Sequence, residues 1–241
     1  MTLIRRKFNQ IKSLLEYPKY EPVTKSLCKF LKSSEEVELC TRYLYQRGYE
    51  PHVIKFKNWD LANIIPEIHD GNFLDMGSSD SFILKNLKLN GINGELFGID
   101  LREPISPVRG VHYAIGDMLQ TNYPDNFFKN ISCLSVIEHE VDFNRFAKEA
   151  SRLLINGGRL FVTFDYWNPK VTSNIKLYDL SWQPLDRNAV INLINECSQY
   201  QLYPVQEMDW TLGDPIVNKE NYSPDPSVSY TFGLITFQKK L

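Results

Sequence analysis

The chain has 241 residues, 43% of them hydrophobic and 23% charged, with a formal net charge of −2. It is long enough for one sizeable α/β domain plus an accessory segment, and its composition is that of a folded globular protein, not of a disordered chain. The charge balance argues against a general nucleic-acid binder, and no apolar run approaches the roughly 18 residues that a membrane-spanning helix needs.

Charge is unevenly spread. Residues 1–32 hold eight Lys or Arg against two Glu, a balance of +6, which leaves 19 basic and 27 acidic residues, or −8, for the remainder. Such a basic start is a solvated helical face packed on the main domain, and it also allows peripheral contact with an anionic membrane or a partner. Cys28, Cys40, Cys133 and Cys197 are widely spaced, with no C-x-x-C pair. They read as free thiols of a reducing compartment, and with no compact apolar leader before a small-residue cleavage site the expected address is the cytoplasm. His52, His69 and His112 show no metal-ligand spacing, so no metal is expected.

Leu3, Ile4, Phe8, Ile11, Leu14 and Leu15 recur at helical spacing and predict an amphipathic helix ending near Pro18. A second helix is expected from Thr24 to Leu31. Ser33 with Glu36 makes a capping-box pattern, which opens a third helix through Val37, Leu39, Cys40, Tyr43 and Leu44 to Gly48. Together these predict a helical segment over residues 1–60 that acts as a lid or cover, followed by a main domain over 61–241. Asp60 to Ile68 is a short helix interrupted at Pro66.

The stretch Phe73 to Ile83 organises the rest. It runs through apolar residues to Asp75, turns at Gly77, Ser78, Ser79 and Ser81, and enters helical spacing at Phe82, Ile83 and Leu87. Small residues let a ligand approach the backbone there, and the following helix presents unpaired amides to the turn. After a helix to about Leu89 and a turn at Asn93-Gly94, strands are expected at Glu95 to Ile99, Val111 to Ile115 and Ile131 to Val136. A helix from Val141 to Leu154, a turn at Asn156-Gly157-Gly158 and a strand at Arg159 to Asp165 follow. This alternation implies a parallel sheet with ligands at the carboxyl ends of its strands. In the tail, a helix from Asp186 to Tyr200 precedes two β-prone runs, Leu202 to Trp210 and Val228 to Phe237. These predict an antiparallel pair, with the intervening loop covering a site.

Acidic residues stand at successive strand ends: Asp75, Asp100, Asp117 and Glu138. Asp100 lies 25 positions after Asp75, close to the roughly 20-residue offset at which an acid meets a ribose in nucleotide folds. Asp117 can accept from an adenine amino group, with Met118 and Leu119 as apolar contact.

The order Phe-Leu-Asp-Met-Gly-Ser-Ser-Asp-Ser, Gly-Ile-Asp-Leu, Gly-Asp-Met, Ser-Val-Ile-Glu-His and Leu-Leu-Ile-Asn-Gly-Gly-Arg-Leu-Phe-Val-Thr resembles the class I S-adenosylmethionine-dependent methyltransferases, over Phe73 to Asp165. The resemblance implies an α/β Rossmann-like fold with a seven-stranded, mostly parallel sheet whose last strand is antiparallel. It implies S-adenosyl-L-methionine as cofactor, with Asp75, Gly77, Ser78, Ser79 and Ser81 around its methionine part. Asp100 then takes the ribose hydroxyls with Leu101 beside it, Asp117 and Met118 frame the adenine, and Ser135 to Glu138 line the other side. The family places glycine at alternate positions of the first turn, where this chain has Ser79 and Ser81, and serine narrows the backbone angles allowed.

Methyl transfer needs an acceptor held in line, desolvated and, for a hydroxyl, relieved of its proton. His139 is the best-placed base, with an intrinsic pKa suited to neutral pH; the alternative is a structural histidine at a helix start. Asp165, Tyr166 and Trp167 mark where an acceptor pocket should begin. The expected activity is methyl transfer to a small molecule, at a hydroxyl oxygen of a sugar, a lipid-linked precursor or another metabolite. The alternative is a non-catalytic methyltransferase-like scaffold that binds a partner through its helical preface.

Overall fold

The computed structural model describes residues 26–241. The helix expected from Leu3 to Pro18 lies outside the described residues. Where a helix is expected up to Leu31, the chain forms strand β1 (Cys28–Phe30), whose Cys28 and Phe30 pair antiparallel with Ile235 and Gly233 near the C-terminus. An open sheet edge there offers unpaired backbone groups, and pairing with it outweighs the local helical preference of these residues. Cys28 and Phe30 enter the core, while Lys29 carries its ammonium to 3.7 Å from Glu36 and over the Trp59 ring.

Helix α1 (Ser34–Gln46) is capped as the sequence predicts, with Ser33 Oγ accepting from Glu36 N at 3.2 Å. The Glu36 carboxylate instead accepts from Lys32 N at 3.2 Å and Trp59 Nε1 at 2.7 Å, which ties α1 to helix α2 (Asn58–Ile64). All seven residues of α2 are buried, and a 3-10 turn at Ile65–Glu67 follows, where Pro66 stops the helix.

Among the described residues, the main sheet has eight strands. Its parallel part comprises β2 (Phe73–Met76), β3 (Leu96–Asp100), β4 (His112–Ile115), β5 (Phe128–Leu134) and β6 (Leu154–Tyr166), in the spatial order β6-β5-β2-β3-β4. Two successive crossovers carry the chain outward from β2 to β4, and the next returns it to β2's other side. A crevice therefore opens at the carboxyl end of β2. The short hairpin β7 (Lys176–Leu177) and β8 (Leu180–Ser181) stands apart. The tail adds β9 (Leu202–Pro204) and β10 (Thr231–Lys239); β10 runs antiparallel to β6, and β9 antiparallel to β10. The expected antiparallel ending is present, with β1 as an additional strand on β10. The turn expected at residues 156–158 is a bulge inside β6, where Gly157 takes φ +73° and the β5–β6 register shifts.

Alternation along the strands sorts the core into two faces. Leu160, Val162, Phe164 and Tyr166 pack with helices α4 (Phe143–Leu153) and α5 (Arg187–Gln199), whose N-caps Asp142 and Asp186 accept backbone N–H bonds at 3.0 and 2.8 Å. Phe73, Phe161 and Leu234 pack on the other face with α1, α2 and helix α3 (Phe82–Asn90). Among the described residues, no helix is long and apolar enough to cross a membrane.

Candidate functional site

The turn after β2 is shaped by one residue. Gly77 takes φ +84°, and a Cβ there would lie 2.3 Å from Val136 Cγ2, so only glycine fits. Its N–H donates to Ile99 O at 2.8 Å and that of Ser78 to the same oxygen at 3.2 Å, fastening the turn to β3. Ser79 and Ser81 are not among the positive-φ residues, so their replacing glycine puts no strain on the backbone. Ser81 is the N-cap of α3, accepting from Leu84 N at 3.2 Å. Ser79 N donates to Asp100 Oδ2 at 3.0 Å.

These residues line one end of a cleft of about 610 Å³ at the carboxyl ends of the parallel strands. Gly77, Ser79, Ser81, Asp100, Leu101, Asp117 and Met118 meet there, as does Asp75, buried at the base of the turn. Burial pushes Asp75 up to about 6 against the Ser132 hydroxyl, which donates to it at 2.5 Å. Asp100 accepts Ser79 N and Arg102 N on separate oxygens, each with a lone pair left for a hydroxyl. Asp117 accepts from Leu119 N at 2.8 Å and pairs with Arg145 at 3.2 Å. Ser78 is buried against Gly98 and does not line the cleft.

At the cleft's other end stand two groups that the sequence did not single out, Lys57 and Asp60, beside residues of the aromatic stretches that it did. Lys57 and Asp60 come from the helical preface, Trp182 from β8's C-terminal side, and Tyr222, Pro224 and Tyr230 from the tail. The long loop before β10 thus supplies part of the wall, as its length suggested. Glu138, His139 and Asp165 complete this end. Asp60 is 1% exposed and neither of its oxygens has a hydrogen-bond partner of normal geometry, with the Thr163 hydroxyl, also unpartnered, standing beside it; Glu138 Oε2 and Asp165 Oδ1 are likewise unpartnered. Asp165 Oδ2 accepts from Trp182 Nε1 at 2.8 Å. Lys57 Nζ lies 4.0 Å from Asp60 Oδ2, bonds the Ser135 hydroxyl and sits 4.5 Å from the Phe232 ring centroid.

Burial pushes Asp60 up to about 7, with Asp165 adding to the rise while Lys57 and the neighbouring Thr163 hydroxyl oppose it. Glu138 and Asp165 are also raised by burial; Asp165 adds to the rise at Glu138, and Lys57 opposes it at both. His139 moves the other way. Burial and then Lys57 lower it to about 4, and its buried Nδ1 has no partner. It lies in the cleft as expected, but as a neutral imidazole with far weaker proton affinity than a free histidine.

Ser135, at φ +53°, and Glu138 line the cleft. Tyr166 and Trp167 do not. Strand alternation turns Tyr166 away from Asp165 into the opposite face of the sheet, where it stacks on Phe30 at 4.0 Å, and Trp167 packs outside the cleft. A sequence signal for Asp60 existed: it is an acid set among Trp59, Leu61, Ala62, Ile64 and Ile65, in a helix too apolar to leave it in water. Among the described residues, no group of three or more His, Cys, Asp or Glu is placed to hold a metal ion.

Residues 74–162 match the family model of a methyltransferase domain. No curated protein matches the chain. Phosphoethanolamine N-methyltransferase 2 of Haemonchus contortus, solved with S-adenosyl-L-methionine, is similar in structure at TM-score 0.57 and 13% identity, over 76% of this chain and 52% of that one. Geranyl diphosphate C-methyltransferase of Streptomyces coelicolor A3(2), solved with Mg2+, geranyl diphosphate and S-adenosyl-L-homocysteine, is similar at TM-score 0.55 and 12% identity, over 97% and 98% of the two chains. The YcgJ protein of Bacillus subtilis is similar at TM-score 0.56 and 16% identity, over 75% and 98%. These solved structures share the fold, and the Gly77 cradle and the free lone pairs of Asp100 fit S-adenosylmethionine as the cofactor of a methyltransferase domain.

Proposed function

We propose that the protein is an S-adenosylmethionine-dependent methyltransferase that moves a methyl group to a nucleophilic atom of a small molecule held at the Asp60 end of the cleft. The observation that supports this most is that one cleft joins the nucleotide-type turn to buried groups able to take a proton. When bound, the cofactor supplies a methyl group already activated by its sulfonium charge. The chain supplies the rest: position, exclusion of water and a proton acceptor.

In this reading, Asp100 holds the ribose hydroxyls, Leu101, Asp117 and Met118 flank the adenine, and the turn from Asp75 to Ser81 surrounds the methionine part. Ser135 bounds the cofactor's other side, and Glu138 stands where that side meets the acceptor end. The end of the residue 1–60 segment acts as a wall of the acceptor site, because Lys57 and Asp60 line the cleft. Tyr222 and Pro224 cover the mouth.

A base works best when its pKa lies near the working pH. Asp60, at about 7, meets that condition better than His139, at about 4, so the carboxyls take the proton and His139 offers a neutral acceptor. A hydroxyl oxygen, the acceptor expected from sequence, and an amine nitrogen both need this service. The similar structures named above are an N- and a C-methyltransferase, so the fold leaves the acceptor atom to the site.

Calorimetric titration of the purified protein with S-adenosylmethionine and S-adenosylhomocysteine tests the reading. Binding of either at micromolar concentration supports it; no binding by folded protein refutes it.

A further inference from the structure

Asp60, Glu138 and Asp165 come from a short helix, the loop after β5 and the end of β6, and they are 1%, 2% and 5% exposed. All three line the cleft, yet four of their oxygens have no hydrogen-bond partner: both of Asp60, Oε2 of Glu138 and Oδ1 of Asp165. Buried carboxyls are ordinarily paired, and a group of unpaired ones facing a cavity calls for a ligand that pairs them. Among the described residues, Lys57 is the one cation within 4.0 Å of any of the three, and it also bonds Ser135 and faces the Phe232 ring. Beside the acids stand Trp182 and Tyr230, edge to face at 5.3 Å, with the Trp182 N–H spent on Asp165.

We infer that the acceptor is an amine that arrives protonated, its ammonium seated among Asp60, Glu138 and Asp165 and against the rings of Trp182 and Tyr230. This rests on the methyl-transfer reading above and names the acceptor class for it. A hydroxyl offers a single proton to these oxygens, whereas an ammonium offers up to three and brings the charge that lets a further carboxyl ionise. One lysine cannot balance three carboxylates, and a second cation lets a second carboxyl ionise. An anionic acceptor meets repulsion here. Aromatic faces attract a desolvated ammonium through their quadrupoles and tolerate the methyl groups added to it.

The step balances. The ammonium gives one N–H proton to a carboxylate of the cluster, which leaves a neutral nitrogen with a lone pair. That pair forms the new N–C bond to the methyl group as the C–S bond breaks, and the C–S electron pair stays on sulfur, which becomes a neutral thioether. The positive charge passes to the methylated nitrogen, still held by the remaining carboxylates.

The test uses the full chain saturated with S-adenosylhomocysteine and matched pairs of probes: 2-phenylethylamine with 2-phenylethanol, and 4-aminobutan-1-ol with butane-1,4-diol. Calorimetry at neutral pH is expected to show at least one amine binding about tenfold or more tightly than its alcohol. Asp60→Asn and Asp165→Asn, each checked for retained S-adenosylhomocysteine affinity, should each shrink that ratio severalfold. The inference is overturned if no amine exceeds its alcohol, or if the preference survives both substitutions. Should S-adenosylhomocysteine itself fail to bind, the methyl-transfer reading falls separately, and the amine preference is still read from the protein alone.

Discussion

Replacing Asp60 with Asn is expected to make the protein more stable, and increasingly so as the pH rises. The carboxyl ionises at its ordinary 3.8 in an unfolded chain but at about 7 in the fold, a difference worth about 4 kcal/mol between the two states. Because the folded value is the higher one, the protonated acid folds at no penalty below its ordinary pKa. Stability is then lost as the pH climbs, and the whole penalty is present above about 7. Asn has the same shape and no charge to lose. Wild type and Asp60→Asn should therefore be nearly equal in urea at about pH 4, and the variant should be more stable by about 2–4 kcal/mol at about pH 8. Tryptophan fluorescence reports the unfolding, and unchanged m values show that the denatured states match. A stability difference that is the same at both pH values, or a variant less stable than wild type at the higher one, refutes the burial argument. The retained acid fits a functional group kept at a cost in stability.

Asp100→Ala removes the ribose contacts and should weaken S-adenosylmethionine binding by about 1–3 kcal/mol in calorimetry; unchanged affinity in folded protein removes that assignment. Gly77→Ala forces a side chain at φ +84° and a contact of 2.3 Å with Val136, so a loss of about 1–3 kcal/mol of stability is expected. Gly77→Ala with Val136→Ala should restore the part due to the clash. Tyr222, 71% exposed at the mouth of the cleft, should change stability by less than about 0.5 kcal/mol on conversion to Ala. The same change should raise the KM for the acceptor, and an unaltered KM excludes a covering role. Trp182→Phe leaves Asp165 without its remaining partner, so a loss of about 1–3 kcal/mol by urea unfolding is expected.

The sheet was legible because its signals are local. Apolar runs ended by Asp75, Asp100 and Asp117, caps at Ser33 and Asp186, and the glycine turn after β2 each act within a few residues, and the structure keeps them in place. The end of the cleft lined by Asp75, Asp100 and Asp117 follows from the same signals, because strand ends that share a direction must share a rim. Whether serine is tolerated at positions 79 and 81, where it departs from glycine, is set by backbone angles that only the folded turn fixes.

The Asp60 end was hidden for a physical reason. Lys57 and Asp60 stand far before Asp165 and Trp182 in the chain, and they meet because α2 packs on the face of the sheet from which Asp165 projects. Whether Cys28–Phe30 became helix or strand was decided by the partner edge of β10, which no local window contains. Tyr166 was assigned to the cleft by its neighbour, and strand alternation sent it to the core. Protonation followed burial in the same way: the sequence shows an acid and a histidine, and the fold raises the one to about 7 and lowers the other to about 4. Order along the chain determined the parallel strands, the helices between them and the rim on which Asp75, Asp100 and Asp117 stand. Long-range packing alone decided which charges share a dry space, because the energy of a buried charge depends on everything around it, however distant in sequence.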